Sequence, residues 1–465
     1  MPAFDLSDIQ GNILRGYGMD FVRIFALRID DAPAARRLIG DLASGEARSL
    51  LKVTTAATWS LKPMHAINAG VTAEGLKLLG ASDASIASFP QEFTAPMAER
   101  APLLGDIGES APENWIPGLA CSVDTPSQVH LVLIAHARTG EMQERLTPLL
   151  RERFLLDGAC TELAVIDGAD LPDSRVHFGY LDGIAEPRIE GGGGRDPEDD
   201  QPLIPAGEFV LGHPGLSNAR YPTPQPDALG VNGSFLALRI LKQDVDGFEK
   251  FLEENAARVP AKPGVDAKEL LAAKMCGRWR NGLPLALSPD TDCPDPPIPQ
   301  DQWNKFDYVK SEALPEVIDD SYGIRCPIGS HIRRNNPRSG VVAGGGGHNH
   351  RLVRRGIPYG APYDPARPND GVERGLVGLF FCGSLGNQFE FLMTEWINSD
   401  SFGLRGDLDP LMAGNDPATS RFVIPVSNLH KESIVITGLS RFISTRASVY
   451  CFMPSVTALK YLANL

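Results

Sequence analysis

The sequence predicts a duplicated α+β fold with antiparallel sheets, because a strand-then-helix order is written twice in each half and the chain between the halves is loop-dominated. The first strand is FVRIFALRI, residues 21–29, a run rich in β-branched and aromatic side chains. It leads into a helical pattern over 34–42, where apolar positions recur every three or four residues and Pro33 suits the first turn. The second unit pairs a strand at 129–135 with a helix at 141–154. Between them, residues 72–79 read as a short helix with Thr72 as N-cap and Gly80 as its stop. The second half repeats the plan, with a strand at 234–241 before an amphipathic helix at 245–259, and a strand at 376–382 before a helix at 388–398. This divides the chain into an N-terminal domain (1–170), a connecting loop region (171–232) and a C-terminal domain (233–465). A second loop-rich stretch runs from 289 to 360 and includes the CPDPPIP segment. Loops this long inside an enzyme-sized chain are where chemistry is sought.

Composition narrows the function classes. Of 465 residues 43 % are hydrophobic and 22 % charged, which supports a large buried core and excludes global disorder. Lys and Arg number 44 against 58 Asp and Glu, a formal net charge of −14 without a long basic run, so a nucleic-acid partner is not expected. Seven cysteines without a CxxC pair fit reduced thiols in the cytoplasm. The N-terminal residues have no signal-peptide pattern and no twin arginine, and no run of eighteen apolar residues occurs, so neither export nor a membrane span is expected.

Two segments stand out chemically. In CPIGSHIRRNNPR (326–338), His331 sits among Arg333, Arg334 and Arg338; neutral imidazole is a strong iron ligand, and the arginines suit the carboxylates of a haem. In RLVRRGIPYG (351–360), Arg354 follows His331 by 23 residues, next to Arg355. Earlier, HFGYLDGIAEP (177–187) places Asp182 before a glycine in an apolar-flanked turn. A carboxylate and a guanidinium converging on one dry pocket are the parts needed to move a proton and stabilise charge on oxygen. Read alone, a histidine in a basic loop is more often a surface residue. The imidazoles of His348 and His350 lack an acidic or cysteine ligand to complete a metal site. The glycines at 191–194 precede Arg-Asp rather than Lys-Ser/Thr, so they make no phosphate loop.

Taken together, these motifs resemble the dye-decolourising peroxidases. GYLDG (179–183) fits that family's GxxDG motif, the 326–338 segment looks like its haem-ligand segment, and RRGIPYG (354–360) looks like its distal-arginine segment. Their order and spacing, with the opening DIQGNIL (8–14), cover nearly the whole chain. The resemblance implies two ferredoxin-like domains of the dimeric α+β barrel type, with one haem b per chain between sheet and helices and His331 on the iron. It implies that Asp182 and Arg354 handle hydrogen peroxide and that Leu379 and Phe381 line the distal face, although both also read as strand core. It also implies an acid behind the proximal histidine, for which Asp416 is the first candidate, with Glu390 and Asp409 as rivals. The expected activity is peroxide-driven oxidation of dyes or phenols by a member of the larger, non-exported branch, and a homodimer is a family-level expectation. The competing reading is a haem storage, carrier or sensor protein, which needs an axial ligand and no distal acid–base pair. Five tryptophans and nine tyrosines could relay electrons to bulky donors, and the sequence does not choose among them.

Overall fold

The computed structural model describes residues 4–45, 49–192, 202–310, 316–340, 347–427 and 432–465. Nine strands form one large sheet: β1 (Phe21–Ile29), β2 (His65–Val71), β3 (Leu131–Ala137), β4 (Cys160–Ala169), β5 (Ser234–Gln243), β6 (Val353–Arg354), β7 (Ile357–Tyr359), β8 (Gly375–Cys382) and β9 (Ile443–Met453). Their order is β4-β1-β3-β2-β9-β5-β8-β6, with β7 also on β8, and the pairings are antiparallel. The order of the first half, 4-1-3-2, recurs in the second as β9, β5, β8 and then the short β6 and β7. The duplication expected from the sequence is therefore present in the topology. The two halves are joined by a single registered pair, Phe452 opposite Val71.

Helices follow the strands as the periodicity requires. Ala32–Ser44 starts where the Asp31 side chain accepts the Ala34 N–H, and Thr139 and Asp244 cap Gly140–Leu155 and Val245–Asn255 in the same way. These caps satisfy backbone donors that the first helical turn leaves open. Two-residue alternation sends one set of strand side chains, including Phe25, Phe235 and Phe452, toward the helices. The other set, including Ile24, Leu236, Leu379 and Phe381, makes a second apolar cluster. A methyl placed on Gly168 of β4 would stand 2.6 Å from Ile357 of β7, so the sheet curls until its edges meet and this second cluster fills a barrel interior.

The connecting region holds only short helical turns and two paired two-residue strands, Arg188–Ile189 and Leu203–Ile204, among its described residues. Three main strands, β2, β4 and β9, and the helix Ala267–Cys276 are additional to the sequence reading. The segment expected as an α-helix over 388–398 is instead π-helical, in two stretches, Leu385–Glu390 and Leu392–Ile397. Parts of the glycine runs, 193–194 and 344–346, lie outside the described residues. Among the described residues no helix is long and apolar enough to cross a membrane.

Candidate active site

His331 opens a five-residue helix, His331–Asn335, immediately after Ser330, whose hydroxyl donates to the Lys274 carbonyl. Its Nδ1 lies 2.8 Å from Oδ2 of Asp409, a fully buried carboxylate. The other Asp409 oxygen, Oδ1, accepts the Leu411 and Met412 N–H groups at 2.9 Å each, and Asn335 donates to the His331 carbonyl at 2.8 Å. Burial works to raise the Asp409 pKa, but the His331 ring and the Met412 amide outweigh it and hold the carboxyl below its ordinary range. A carboxylate so placed fixes which nitrogen of the imidazole carries the proton and orients the ring.

The expected acid, Asp416, is elsewhere. Its side chain is exposed and accepts the Ala418 N–H in a turn, so it is replaced in that role by its rival Asp409. Glu390 is paired with Arg100 and accepts the Tyr450 hydroxyl. The arginines around His331 also need correction as partners for haem carboxylates. Arg333 donates to Asp320 and the Cys326 carbonyl and lies 4.2 Å from the centre of the Tyr308 ring. Arg334 is fully buried and bonded to Asp407 and to the carbonyls of Gly329 and Ser399. Arg338 covers the Phe306 ring at 3.8 Å and donates to the Phe306 carbonyl at 2.7 Å. Buried guanidinium groups require such partners, and these arginines hold the loop that presents His331.

Asp182 is held by the turn around it. Gly179 and Gly183 have φ of 87° and 72°, which glycine adopts without strain. Between them Tyr180 is buried, its hydroxyl donating to the Ala272 carbonyl, and Leu181 N–H donates to the Arg280 carbonyl. These anchors leave Asp182 exposed. Its Oδ1 accepts the Gly183 N–H at 2.7 Å, while Oδ2 lies 3.7 Å from where a methyl on Gly356 would stand.

Arg354 comes to the same place from β6. Its Nη2 donates to the Ala185 carbonyl at 3.0 Å and its backbone N–H to Glu186 Oε2 at 3.2 Å. His177 Nε2, 2.8 Å from the Tyr359 carbonyl, ties the two segments together a second time. Asp182, on its turn, and Arg354, on β6, thus lie on crosslinked segments, both with exposed side chains. Glu186 also binds Arg355 at 3.1 Å. The sequence reading did not single out Glu186, although it lies four residues after Asp182 in the same motif.

Leu379 and Phe381 do not share this face. They are 1 % and 0 % exposed and point with Leu236, Leu238 and Val353 into the barrel. Alternation along β8 instead puts Leu376, Gly378 and Phe380 on the side of Arg354, which is registered opposite Phe380. Leu376 approaches the Gly356 methyl position at 3.4 Å, next to Asp182. The apolar wall beside Asp182 and Arg354 is therefore one residue out of phase with the expected one.

No family model matches the chain. Among curated proteins it is 28 % identical to the dye-decolorizing peroxidase msp1 of Mycetinis scorodonius, over 98 % of this chain and 87 % of the relative. It is 30 % identical to a dye-decolorizing peroxidase of Mycena epipterygia, over 89 % of this chain and 76 % of the relative. The chain belongs to the dye-decolourising peroxidase family. A solved fungal structure of the family, from Auricularia auricula-judae, superposes with a TM-score of 0.81 at 25 % identity and covers 100 % of both chains.

Dye-decolourising peroxidases are haem peroxidases, so the chain is an oxidoreductase that works with haem iron, peroxide and a reducing substrate. The residues present fit the haem iron. With Nδ1 of His331 taken by a buried carboxylate, Nε2 has no hydrogen bond to any described residue and carries the lone pair an iron needs.

Proposed function

We propose that this chain reduces hydrogen peroxide while oxidising dyes or phenols, with His331 as the iron ligand, Asp182 as the acid–base group and Arg354 as the charge stabiliser. The observation that carries this reading is the pairing of an exposed Asp182 with an exposed Arg354 on loops linked through Ala185 and Tyr359. The haem supplies the iron at which peroxide is cleaved and the oxidising equivalents passed to the donor. Asp182 has Oδ1 engaged by the Gly183 N–H, leaving Oδ2 to take a proton from peroxide and return it to the departing oxygen. Arg354 stabilises the negative charge that develops on that oxygen. His331, held by Asp409, keeps its donor nitrogen aimed and electron-rich. Since a carboxylate ionises below the range of histidine, the reaction with peroxide is expected to persist at acidic pH.

The cofactor is read as haem b, one per chain, and the assembly as a homodimer, both by family analogy. A cytoplasmic location in the larger, non-exported branch is supported by seven cysteines that are all free thiols. Stopped-flow spectra test the function. Asp182→Asn should keep its haem and slow the reaction of the ferric protein with peroxide by about 10²- to 10⁴-fold. A wild-type rate in that variant would remove Asp182 from its role. Absence of any peroxide reaction in the wild type from acidic to neutral pH would favour the storage or carrier reading.

A further inference from the structure

Asn304, in the loop-rich stretch from 289 to 360, is half-buried and bonded to both motifs of the site. Its Nδ2 donates to the Ile184 carbonyl at 2.7 Å, and its Oδ1 accepts Nη2 of the buried Arg278 at 2.8 Å. A guanidinium only donates and a carbonyl only accepts, so both partners demand the same orientation of the amide. The backbone carbonyl of Asn304 accepts Nη1 of Arg338 at 3.2 Å, and Arg338 ends the segment that contains His331.

Ile184 lies between the two members of the pair. Asp182 precedes it by two residues, and the carbonyl of the next residue, Ala185, accepts Nη2 of Arg354 at 3.0 Å. Before Asp182 the turn is fixed twice, by the Tyr180 hydroxyl on the Ala272 carbonyl and by the Leu181 N–H on the Arg280 carbonyl. After Asp182 packing contributes less: Gly183 is exposed, and among the described residues a methyl placed on it would meet nothing within 4 Å. Displacing the Ile184 peptide therefore shifts the chain that leads back to Asp182 and the carbonyl that holds Arg354.

Arg278 ties Asn304 to the chain that carries the histidine. Ala272, Lys274, Arg278 and Arg280 all lie on the helix Ala267–Cys276 or in the turn just after it. The Lys274 carbonyl accepts the Ser330 hydroxyl, and its Nζ donates to the Arg325 carbonyl at 2.6 Å. One stretch of chain thus holds the approach to His331 and the approach to Asp182, and Asn304 adds the residues that follow Asp182.

We propose that Asn304 is a positioning residue for the peroxide reaction: by holding the Ile184 carbonyl to Arg278 it fixes Asp182 and Arg354 relative to the segment that carries His331. The inference rests on the peroxidase reading of that pair, and it adds a residue that acts through them.

Asn304→Asp tests the role, because a carboxylate of nearly the same shape keeps the Arg278 contact and loses the donation to Ile184. In stopped flow, ferric holoenzyme with this substitution, and equally with Asn304→Ser, should keep its haem spectrum. It should react with hydrogen peroxide about 10- to 100-fold more slowly, the scale of loss when reacting groups shift by about 1 Å. Reduction of the peroxide-treated enzyme by hydroquinone, which follows O–O cleavage, should keep the wild-type rate. The loss should be the same factor from acidic to neutral pH, as displacement requires and an added charge near Asp182 does not. Asp182→Asn combined with Asn304→Asp should be slowed by less than the product of the single effects. The proposal is overturned by wild-type peroxide rates or haem loss in both variants, by a loss confined to Asn304→Asp or to one end of the pH range, by equal slowing of the hydroquinone step, or by full additivity with Asp182→Asn. A slow Asp182→Asn beside unaffected Asn304 variants removes only the positioning role, whereas a wild-type rate in Asp182→Asn removes the reading on which it rests.

Discussion

Arg333, Arg334 and Arg338 follow His331 closely, and Arg354 and Arg355 follow it by 23 and 24 residues, yet the two groups do opposite work. The first three are buried against carbonyls, carboxylates and aromatic rings. Arg354 remains exposed beside Asp182, and Arg355 spans Glu186 and the Asn12 carbonyl. The first group builds the loop that carries the histidine, and the second, in the function proposed above, supplies charge beside the acid–base group. Clustered arginines in a sequence therefore do not by themselves mark an anion site, because burial decides which role they take.

Paired substitutions can break this contrast. Arg334→Ala leaves Asp407 buried without its partner and should lower the unfolding free energy by about 3–5 kcal/mol in urea titrations. Arg354→Ala should leave urea stability within about 1 kcal/mol of wild type, because its contact with Glu186 is partly exposed, and slow the peroxide reaction by about 10²- to 10³-fold. If Arg334→Ala were the catalytically impaired variant and Arg354→Ala the unstable one, the division would be reversed.

A third effect comes from His136, which adjoins the second group. Among the described residues its buried Nε2 has no hydrogen-bond partner; burial first, and then the charge of Arg355, push its pKa down to about 4. In the unfolded chain the ring takes up a proton near pH 6.5, while in the folded chain it stays neutral until about pH 4. Its contribution to stability is thus complete above pH 6.5 and is lost as pH falls toward 4, an effect of about 3 kcal/mol. His136→Gln should flatten that part of the stability–pH curve, as measured by urea unfolding from pH 7 to 4. A smaller comparison concerns Asp409, which holds His331, and Asp416, which does not. Asp409→Asn should weaken haem retention by about 10- to 100-fold in transfer to an acceptor protein. Asp416→Asn, at an exposed turn, should change stability by no more than about 0.5 kcal/mol and leave haem retention as it was.

Legibility in the sequence followed the range of the interactions. β1 spans the residues its pattern predicts, and the cap read at Thr72 acts locally. β4 was hidden because its mostly half-buried residues show no clean alternation, and β9 because a strand buried on both faces has no polar phase to read. The π-helical turns at 385–397 follow a spacing that a 3.6-residue template does not test. At the site, GxxDG and RRGIPYG set Asp182 and Arg354 through nearby backbone, whereas choosing Asp409 over Asp416 required a contact across 78 residues. The phase of β8 is also a tertiary matter, because either side of a strand buried on both faces can be called the core.

The position of β9 has a consequence for biosynthesis. Pairing β5 along its length and touching β2 at one residue, it is the middle of the sheet although it follows all the other strands of that sheet in the chain. A chain made only as far as residue 440 already contains Asp182, His331, Arg354 and Asp409, but its two half-sheets have no strand between them. Closure of the barrel must then await β9. Stable capture of the cofactor would follow the emergence of β9, and a chain that stops before residue 443 would lose the middle of the sheet.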